Sequence, residues 1–403
     1  MDLNPPIIGL FRRLLAERNQ TEGADWDATD SELDCAVYQD PDIHRREIER
    51  VFRRMPLCLG RADQLPEPGS MIARDLLGLP LLITRDRGGE VRVLLNVCRH
   101  RGARLLEAQE TVCRQSTLSC PYHAWTYELD GALRGIPGAE GFPCLQRAER
   151  GLRRLPSAVR HGFIWAVLDP QASDIDVAGF LGDIDRDLAS LGLAGHHFFQ
   201  QRVQRRACNW KLVMDAFQEV YHIRRLHAGS IASYFPGSRF TAEGEGLHTR
   251  ILVGRELLAQ AQDLPEDQWD VRNHATLTHA IFPNSLIIYH PDFTSHLGLF
   301  PTAPGEVLFV HSLFTPHAPR SEKERAHWER SFELIDGSVF SAEDLHISEQ
   351  IQSAIGAGAN QRFALGRFEQ NLRRFHTHLA TLIAEPASPA GTPPANQPTG
   401  ITA

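Results

Sequence analysis

Two short segments, Cys98-Arg-His100 and Cys120-Pro-Tyr-His123, each carry one cysteine and one histidine, with twenty positions from His100 to Cys120. Each lies in a turn directly after a β run, where two loops can converge on one metal site. The surrounding chain must therefore be compact and hairpin-rich. From Met55 to about Leu168, short runs rich in β-branched residues (LLITRD, VRVLLNV, FIWAVL) alternate with turns such as PEPGS, DRGGE and GIPGAEG. That pattern predicts a small antiparallel β domain over 55–168.

Two thiolates and two imidazoles suit either a tetrahedral zinc or a Rieske [2Fe-2S] centre. Ligand order separates them. A Cys2His2 finger pairs cysteine with cysteine and histidine with histidine, whereas here each loop supplies one of each. One iron can then take both cysteines and the other both histidines. The local text, CRHRGARL and CPYHAWTY, resembles the cluster loops of the Rieske non-heme iron oxygenases, in the catalytic (alpha) subunit of the aromatic ring-hydroxylating dioxygenase family. The resemblance implies that Cys98, His100, Cys120 and His123 hold the cluster. It also implies that Trp125 covers the cluster and that backbone amides tune its sulfurs. Cys113 falls outside both loops and reads as a structural thiol.

The segment NWKLVMDAFQEVYHIRRLH (209–227) contains Asp215, Glu219, His222 and His227. Positions 215, 219 and 222 differ by four and three, so their side chains share one helix face. His227 lies five beyond His222, about 140° further round a regular helix. Both imidazoles reach one ion only if the helix ends or widens near Tyr221–Arg224. The resemblance supplies a third ligand. AEDLHISEQIQ matches the late helix whose acid completes a 2-His-1-carboxylate triad, at Asp344, with Glu343 adjacent and one place out of register. Such a triad, with open positions, suits an Fe(II) that binds O2 beside a substrate.

The helix resembles the family pattern [DE]-x3-D-x2-H-x4-H, with Glu219 where the middle aspartate usually stands. The resemblance implies that Glu219 contacts His222 and meets His123 of a neighbouring subunit, bridging the two metals. Asp215 reads either as an acid that passes protons or fixes a ligand, or as a structural acid in a buried network. His196, His197, His376 and His378 read as ordinary surface or helix histidines. Gly356-Ala-Gly358 follows no strand and does not continue into GxGxxG, so it is no nucleotide loop. Electrons must then come from a separate reductase, directly or through a ferredoxin.

Elsewhere, residues 1–54 read as helical and packed on the catalytic domain. An amphipathic helix from Pro6 to Arg18 docks on the protein's own core. A second opens at Asp40-Pro41 and runs to about Arg54. Residues 169–384 read as helix at 174–194, a strand around Phe198–Cys208 and a helix from Trp210 to Tyr221. Strands follow in THAIFPNSLIIYH, SHLGLFP and EVLFVHSLF. The last helices lie at 320–335 and from Ala342 to the mid-380s, interrupted near Gly356–Asn360. The whole predicts an α+β chain: an N-terminal antiparallel β Rieske domain and then a helix-grip (START-like) antiparallel sheet with long helices on one face. Residues 385–403, rich in Pro, Ala and Thr, read as a disordered tail.

Acidic residues outnumber basic ones, 50 to 42, for a net charge of −8. That balance argues against a nucleic-acid footprint. Seven cysteines at scattered spacings suggest metal ligation or buried thiols, not a disulfide framework. No apolar run approaches the roughly 20 residues of a spanning helix, and the first residues lack a signal-peptide pattern. The expectation is a cytoplasmic protein with no membrane role.

As a whole, the resemblance implies a terminal oxygenase component working as a closed homotrimer, because the two metals of one chain lie too far apart. Family-like placement lines a substrate cavity with Val213, Phe217, Tyr234, Phe235, Ile288, His290 and Leu297. A mainly apolar lining suits an aromatic or similarly flat organic substrate, and His290 or His296 could orient a carboxylate. Ring dihydroxylation, monohydroxylation and oxidative demethylation stay open. So does the oxidation of a quaternary ammonium compound, since related enzymes of that kind also carry glutamate at the bridging position. Rivals from other classes are a Rieske electron-transfer protein with a degenerate second domain and a zinc-stabilised binding module.

Overall fold

The computed structural model describes residues 3–16, 29–109, 111–237 and 239–384. The expected tail at 385–403 and the end of the first expected helix, at 17–18, lie outside these residues. The chain divides into two compact units, one of residues 52–177 and one built from the described residues on either side. These limits lie outside the expected 55 and 168. After the last strand, Arg153 Nε donates to the Pro170 carbonyl (2.9 Å) and ties the following loop to the first unit.

The 52–177 unit is antiparallel throughout. Its largest sheet has the order Arg154–Leu155, Val91–Leu95, Leu79–Arg85, Ser70–Leu76, Cys113–Arg114. A second sheet pairs Ser157–Arg160, Phe163–Ala166 and Leu57–Arg61, and a third joins three short strands between Leu118 and Gly135. Leu82, Leu94, Leu118, Trp125 and Tyr127 pack into one core beneath the two Cys/His loops.

The other unit is built on a seven-stranded antiparallel sheet. Its order is His197–Arg206, Glu306–Thr315, Thr294–Ala303, Ser285–Tyr289, Ala275–Ile281, His248–Gly254, Phe240–Glu245. The last two strands form a hairpin that the sequence reading missed. Its turn, Gly246-Leu247, relies on a positive φ (+55°) at Gly246, and FTAEGE carries little alternation to announce it. His248–Gly254, Ala275–Ile281 and Ser285–Tyr289 are buried at every position, so this part of the sheet is covered on both faces, not one. On one face Asp187, from the helix Asp183–Ser190, accepts from Arg250, from His279 Nε2 (3.0 Å) and from Asn4 Nδ2 (2.7 Å). On the opposite face His311 Nδ1 meets Asp336 Oδ1 at 3.0 Å, from the long helical segment. His311 Nε2 also meets Ser295 Oγ at 3.0 Å. This is the order of a nucleophilic triad, but all three residues are fully buried. They act as a pin between helix and sheet.

That long segment corrects the expected break between 335 and 342. Glu322–Phe332 runs on through a π-helical stretch, Glu333–Asp344, into Leu345–Ile355. Gly337 does not stop it, because a mid-helix glycine costs only about 1 kcal/mol and Asp336 is tied to both His311 and Arg202. The interruption after Ile355 does occur. It contains a strand, Arg362–Leu365, paired with Ser31–Asp34, so residues 1–54 are not all helical. A four-residue strand whose partner lies over 300 residues away leaves no local periodicity. The helix Pro5–Ala16 buries Ile7, Leu10, Phe11 and Leu14, the spacing of one helix face, and sets Phe11 edge-on against Trp269 at 5.0 Å. Pro41–Glu47 is capped by Asp40, whose carboxylate accepts from the amides of Asp42 (2.7 Å) and Ile43 (3.3 Å). A π-helical turn, Ile48–Phe52, extends it. Among the described residues no helix is long and apolar enough to cross a membrane.

Glu47 makes a fully buried ion pair in this unit. Its carboxylate accepts from Lys211 Nζ at 2.6 Å and from Trp210 Nε1 at 2.9 Å, with both charged side chains fully buried. Lys211→Met strands a buried carboxylate and is expected to cost about 3–5 kcal/mol. The double variant Lys211→Met with Glu47→Leu should recover most of that loss, and chemical denaturation measures both. His248 supplies a pH test. Its Nε2 faces the Phe180 carbonyl (2.8 Å) and its Nδ1 accepts the Phe282 amide (3.2 Å). A second proton has no acceptor, and burial holds the ring down to about 4. The unfolded ring binds its proton at about pH 6.5, so stability should fall as pH drops from 6.5 towards 4, by up to about 3 kcal/mol. A His248→Gln variant should lose that part of the slope.

Candidate metal centres

The two Cys/His loops share one backbone scheme. Cys98 N donates to Ala103 O (2.8 Å) and Gly102 N to Cys98 O (2.9 Å); Cys120 N donates to Trp125 O (2.8 Å) and Ala124 N to Cys120 O (2.9 Å). Each turn closes through a residue with positive φ, Gly102 at +80° and Ala124 at +55°. Repetition of the scheme presents Cys98 with His100, and Cys120 with His123, from two matched turns. The imidazoles lie 4.7 Å apart between ring centroids, and Trp125 stacks on His100 at 4.9 Å and 7°. Cys98 Sγ lies 3.3 Å from Tyr127 Oη, which also accepts the Arg99 amide (3.0 Å).

These residues fit a two-iron cluster. His100 Nδ1 and His123 Nδ1 are buried with no hydrogen-bond partner, a costly arrangement unless something accepts their lone pairs. Among the described residues, only His222, His227 and Asp344 bring three ligand atoms within 4.8 Å of one another. The Cys/His quartet is therefore too widely spread for one tetrahedral zinc. Partial desolvation, with His123 and Arg101 alongside, pushes His100 below its ordinary value, so the ring is neutral as a ligand must be. Burial pushes the Cys98 thiol up, which discourages an empty thiolate.

The second centre arises where a helix stops. Trp210–Ala216 ends at Phe217, and a separate short helix, Ile223–Leu226, begins after His222. The break lies before His222, so the expected opening near Tyr221–Arg224 is not seen: His222 to His227 form one helical turn, closed by Leu226 N to His222 O (2.8 Å) and His227 N to Ile223 O (3.2 Å), and the two rings still come within 5.1 Å of each other. His222 Nε2 and His227 Nε2 lie 3.7 and 3.2 Å from Asp344 Oδ1, an oxygen that is buried without a hydrogen-bond partner. The opposite ring nitrogens are held by carboxylates, His222 Nδ1 by Glu219 and His227 Nδ1 by Glu343 (2.6 Å). Burial alone would push both histidines down, but Glu219 and Asp344 hold His222 above its ordinary value, and Asp344 and Glu343 do the same for His227. The same negative field favours a divalent cation. Two imidazoles and one oxygen with an open side fit Fe(II). Asp344, not Glu343, faces the histidine Nε2 atoms. Adjacent residues on a helix diverge by about 100°, so the two acids serve different sides of one ring.

Asp215 is withdrawn from that centre. Its carboxylate accepts from Tyr38 Oη (2.6 Å) and His376 Nε2 (2.9 Å). The network supports the structural reading of Asp215; His376 is a helix histidine, in Gln370–Ala384, and it is buried, as is His196. Tyr38, Ser230 and His376 escaped the sequence reading because their partners lie 113 to 177 positions away. Only the doubled acid at 343–344 hinted at a histidine-orienting carboxylate.

A cleft of about 1210 Å³ opens beside the triad, lined by Tyr38, Asp215, Glu219, Tyr221, His222, Asp344, Phe363 and Phe368 among others. None of Val213, Phe217, Ile288, His290 or Leu297 lines it. Val213 is buried, Phe217 packs edge-on against Phe340 at 5.3 Å, and the register puts Ile288 and Leu297 on the sheet face that carries His311. His290 stacks on Phe293, with its Nε2 buried and unbonded.

Residues 55–146 match the Rieske [2Fe-2S] domain, and residues 193–385 match the ring hydroxylating alpha subunit (catalytic domain). The chlorobenzene dioxygenase subunit alpha of Cupriavidus sp. (strain PS12) is 35% identical over 195 residues, 47% of this chain and 42% of that one. The aligned stretch thus spans less than half of that relative. The biphenyl dioxygenase subunit alpha of Metapseudomonas furukawaii is 26% identical over 412 residues, 88% of each chain. Among solved structures, the quaternary ammonium Rieske monooxygenase CntA in complex with L-carnitine superposes with a TM-score of 0.73 at 20% identity, over 89% of this chain and 96% of that one. With a Rieske domain followed by a ring-hydroxylating alpha-subunit domain, and with side chains fitted to a [2Fe-2S] cluster and a mononuclear iron, the chain belongs to the Rieske oxygenase family.

Proposed function

We propose that this chain is the terminal oxygenase component of a multicomponent Rieske system. It takes electrons from a separate NAD(P)H-dependent reductase, directly or through a ferredoxin, and uses O2 to oxygenate or oxidatively demethylate a small organic substrate. The observation that carries this reading is the convergence of His222, His227 and Asp344 on one point, with their free ligand atoms inward and one side open. An electron-transfer protein with a degenerate second domain has no use for that convergence. Cys98 and Cys120 would hold one iron of the cluster, His100 and His123 the other, and His222, His227 and Asp344 the mononuclear Fe(II). When bound, the cluster supplies one-electron transfer and the mononuclear iron supplies O2 activation.

The chain's own residues hold, orient and shield. Trp125 covers the His100 ring. Glu219 holds the Nδ1 proton of His222, leaving Nε2 as the ligand atom. Glu219 and His222 reach the open cleft, where Tyr221 is 70% exposed and Phe368 packs against it at 4.7 Å. A mostly apolar cleft at this spot supports a closed homotrimer in which the cluster loops of a second copy, with their exposed Tyr122, cover Glu219. Seven cysteines without a disulfide support a reducing, cytoplasmic setting.

For the substrate, the favoured class is aromatic or similarly flat and apolar. In the loop that follows His227, the Arg255 guanidinium sits over both Tyr234 (5.5 Å) and Phe235 (5.6 Å). Those two faces are taken by the protein's own cation and are closed to a quaternary ammonium group.

Iron analysis with EPR of the reduced protein, followed by oxygen uptake with a reductase over a panel of arenes and quaternary ammonium compounds, tests the reading. Expected are three irons per chain, a Rieske signal and uptake stimulated by an arene. A colourless zinc protein, or uptake that no substrate stimulates, would remove it. His222→Ala should keep the Rieske signal and lose both mononuclear iron and product; retained iron and turnover would refute the ligand assignment. Sedimentation should give three chains per particle, and Glu219→Gln, whose amide oxygen still accepts from the His222 ring and the turn amides, should keep both metals while cluster oxidation ceases to yield product. A wild-type single-turnover yield in that variant would remove the bridge.

A further inference from the structure

The triad's histidines are held from behind by two different carboxylates, and only one has a second duty in the proposed function. Glu219 reaches the open cleft. Glu343 does not line it. Its Oε2 receives the Nδ1 proton of His227 at 2.6 Å and the hydroxyl proton of Ser230 at 2.7 Å. His227 is 2% exposed, and its other nitrogen lies 3.2 Å from Asp344 Oδ1. The three residues come from two places. His227 and Ser230 sit either side of one turn, closed by Ser230 N to His227 O at 3.0 Å, and Glu343 sits at the end of the π-helical stretch.

From this geometry we infer that Glu343, supported by Ser230, is the positioning residue that sets the tautomer and ring angle of His227 for the mononuclear metal. The inference rests on the triad being that metal's site. Because Nδ1 donates to Glu343, the lone pair must lie on Nε2, the nitrogen that faces Asp344. The carboxylate also makes the ring a stronger donor, since negative charge behind an imidazole raises its basicity. Ser230 fills a second acceptor position on the same oxygen and prevents rotation of the carboxylate. One helical step then divides the labour of two neighbouring acids: Asp344 offers an unpartnered oxygen to the metal, and Glu343 gives its charge to the ligand's far side.

The inference is tested on the full-length chain with its cluster loaded, titrated anaerobically with Fe(II) under competition from a chelator. Wild type should bind one Fe(II) per chain beyond the cluster, and Asp344→Ala should abolish that binding. Glu343→Ala should weaken it about 10–100-fold, Glu343→Gln less because its amide oxygen still accepts from Nδ1, and Ser230→Ala least. Near-infrared circular dichroism of the Fe(II) site should shift in Glu343→Gln, while the Rieske spectrum and the thermal midpoint stay at wild-type values. A merely structural glutamate would move the midpoint and leave the metal constant alone. If Glu343→Ala fails to fold, the isosteric Glu343→Gln carries the test. Wild-type Fe(II) affinity and spectrum in Glu343→Gln and Ser230→Ala would overturn the inference while leaving the triad intact. Absence of wild-type binding that depends on Asp344 would overturn both.

Discussion

His222 and His227 stand at the two ends of one short helical turn with their rings 5.1 Å apart, and the rest of the catalytic unit is arranged around that pair. On an ideal helix the two would diverge by about 140°, but His227 stands just past the last helical residue, at φ −91° and ψ 19°. The chain leaves helical geometry after Ala216 and resumes it at Ile223, which frees backbone amides that need new acceptors. Glu219 supplies them. Its carboxylate accepts from the amides of Tyr221 and His222 and from the His222 ring. The side chain at this position is therefore part of the turn itself.

Opposite the break stands a second irregularity. Asp344 ends a π-helical stretch of twelve residues, a geometry that collects at functional sites because it re-aims a side chain without ending the helix. The stretch is anchored far from the metal site, where Asp336 binds His311 and Arg202 on the sheet. Sheet, helix and triad are thus one mechanical unit, and the position of Asp344 is set by a core contact two helical turns away.

The cluster loops follow a different logic. Their geometry is local: two turns with the same pair of backbone hydrogen bonds, each closed by a left-handed residue, seated on Trp125, Tyr127 and Leu94. Little of that depends on remote residues. A cysteine and a histidine two or three positions apart are oriented by their own turn, whereas the triad needs a helix more than a hundred residues later.

This difference explains what was legible. The two Cys/His pairs, Trp125 and the histidine pair stood out in spacing and local text, because the physics that aims them spans a few residues. The strands at 275–315 and the two N-terminal helices showed through periodicity and capping for the same reason. The hairpin at 240–254, the pairing of Ser31–Asp34 with Arg362–Leu365, the unbroken helix through Gly337 and the burial of His376 did not. Each is decided by a partner distant along the chain, and no window of sequence contains both halves. Sequence alone determined which residue types could bind which metals. Tertiary structure decided which of two adjacent acids faces the metal, that Asp215 belongs to Tyr38 and His376, and that the open cleft lies beside Glu219 and not over the apolar residues proposed for substrate. Such choices rest on directions in space, and a carboxylate's neighbours are fixed only when remote elements pack.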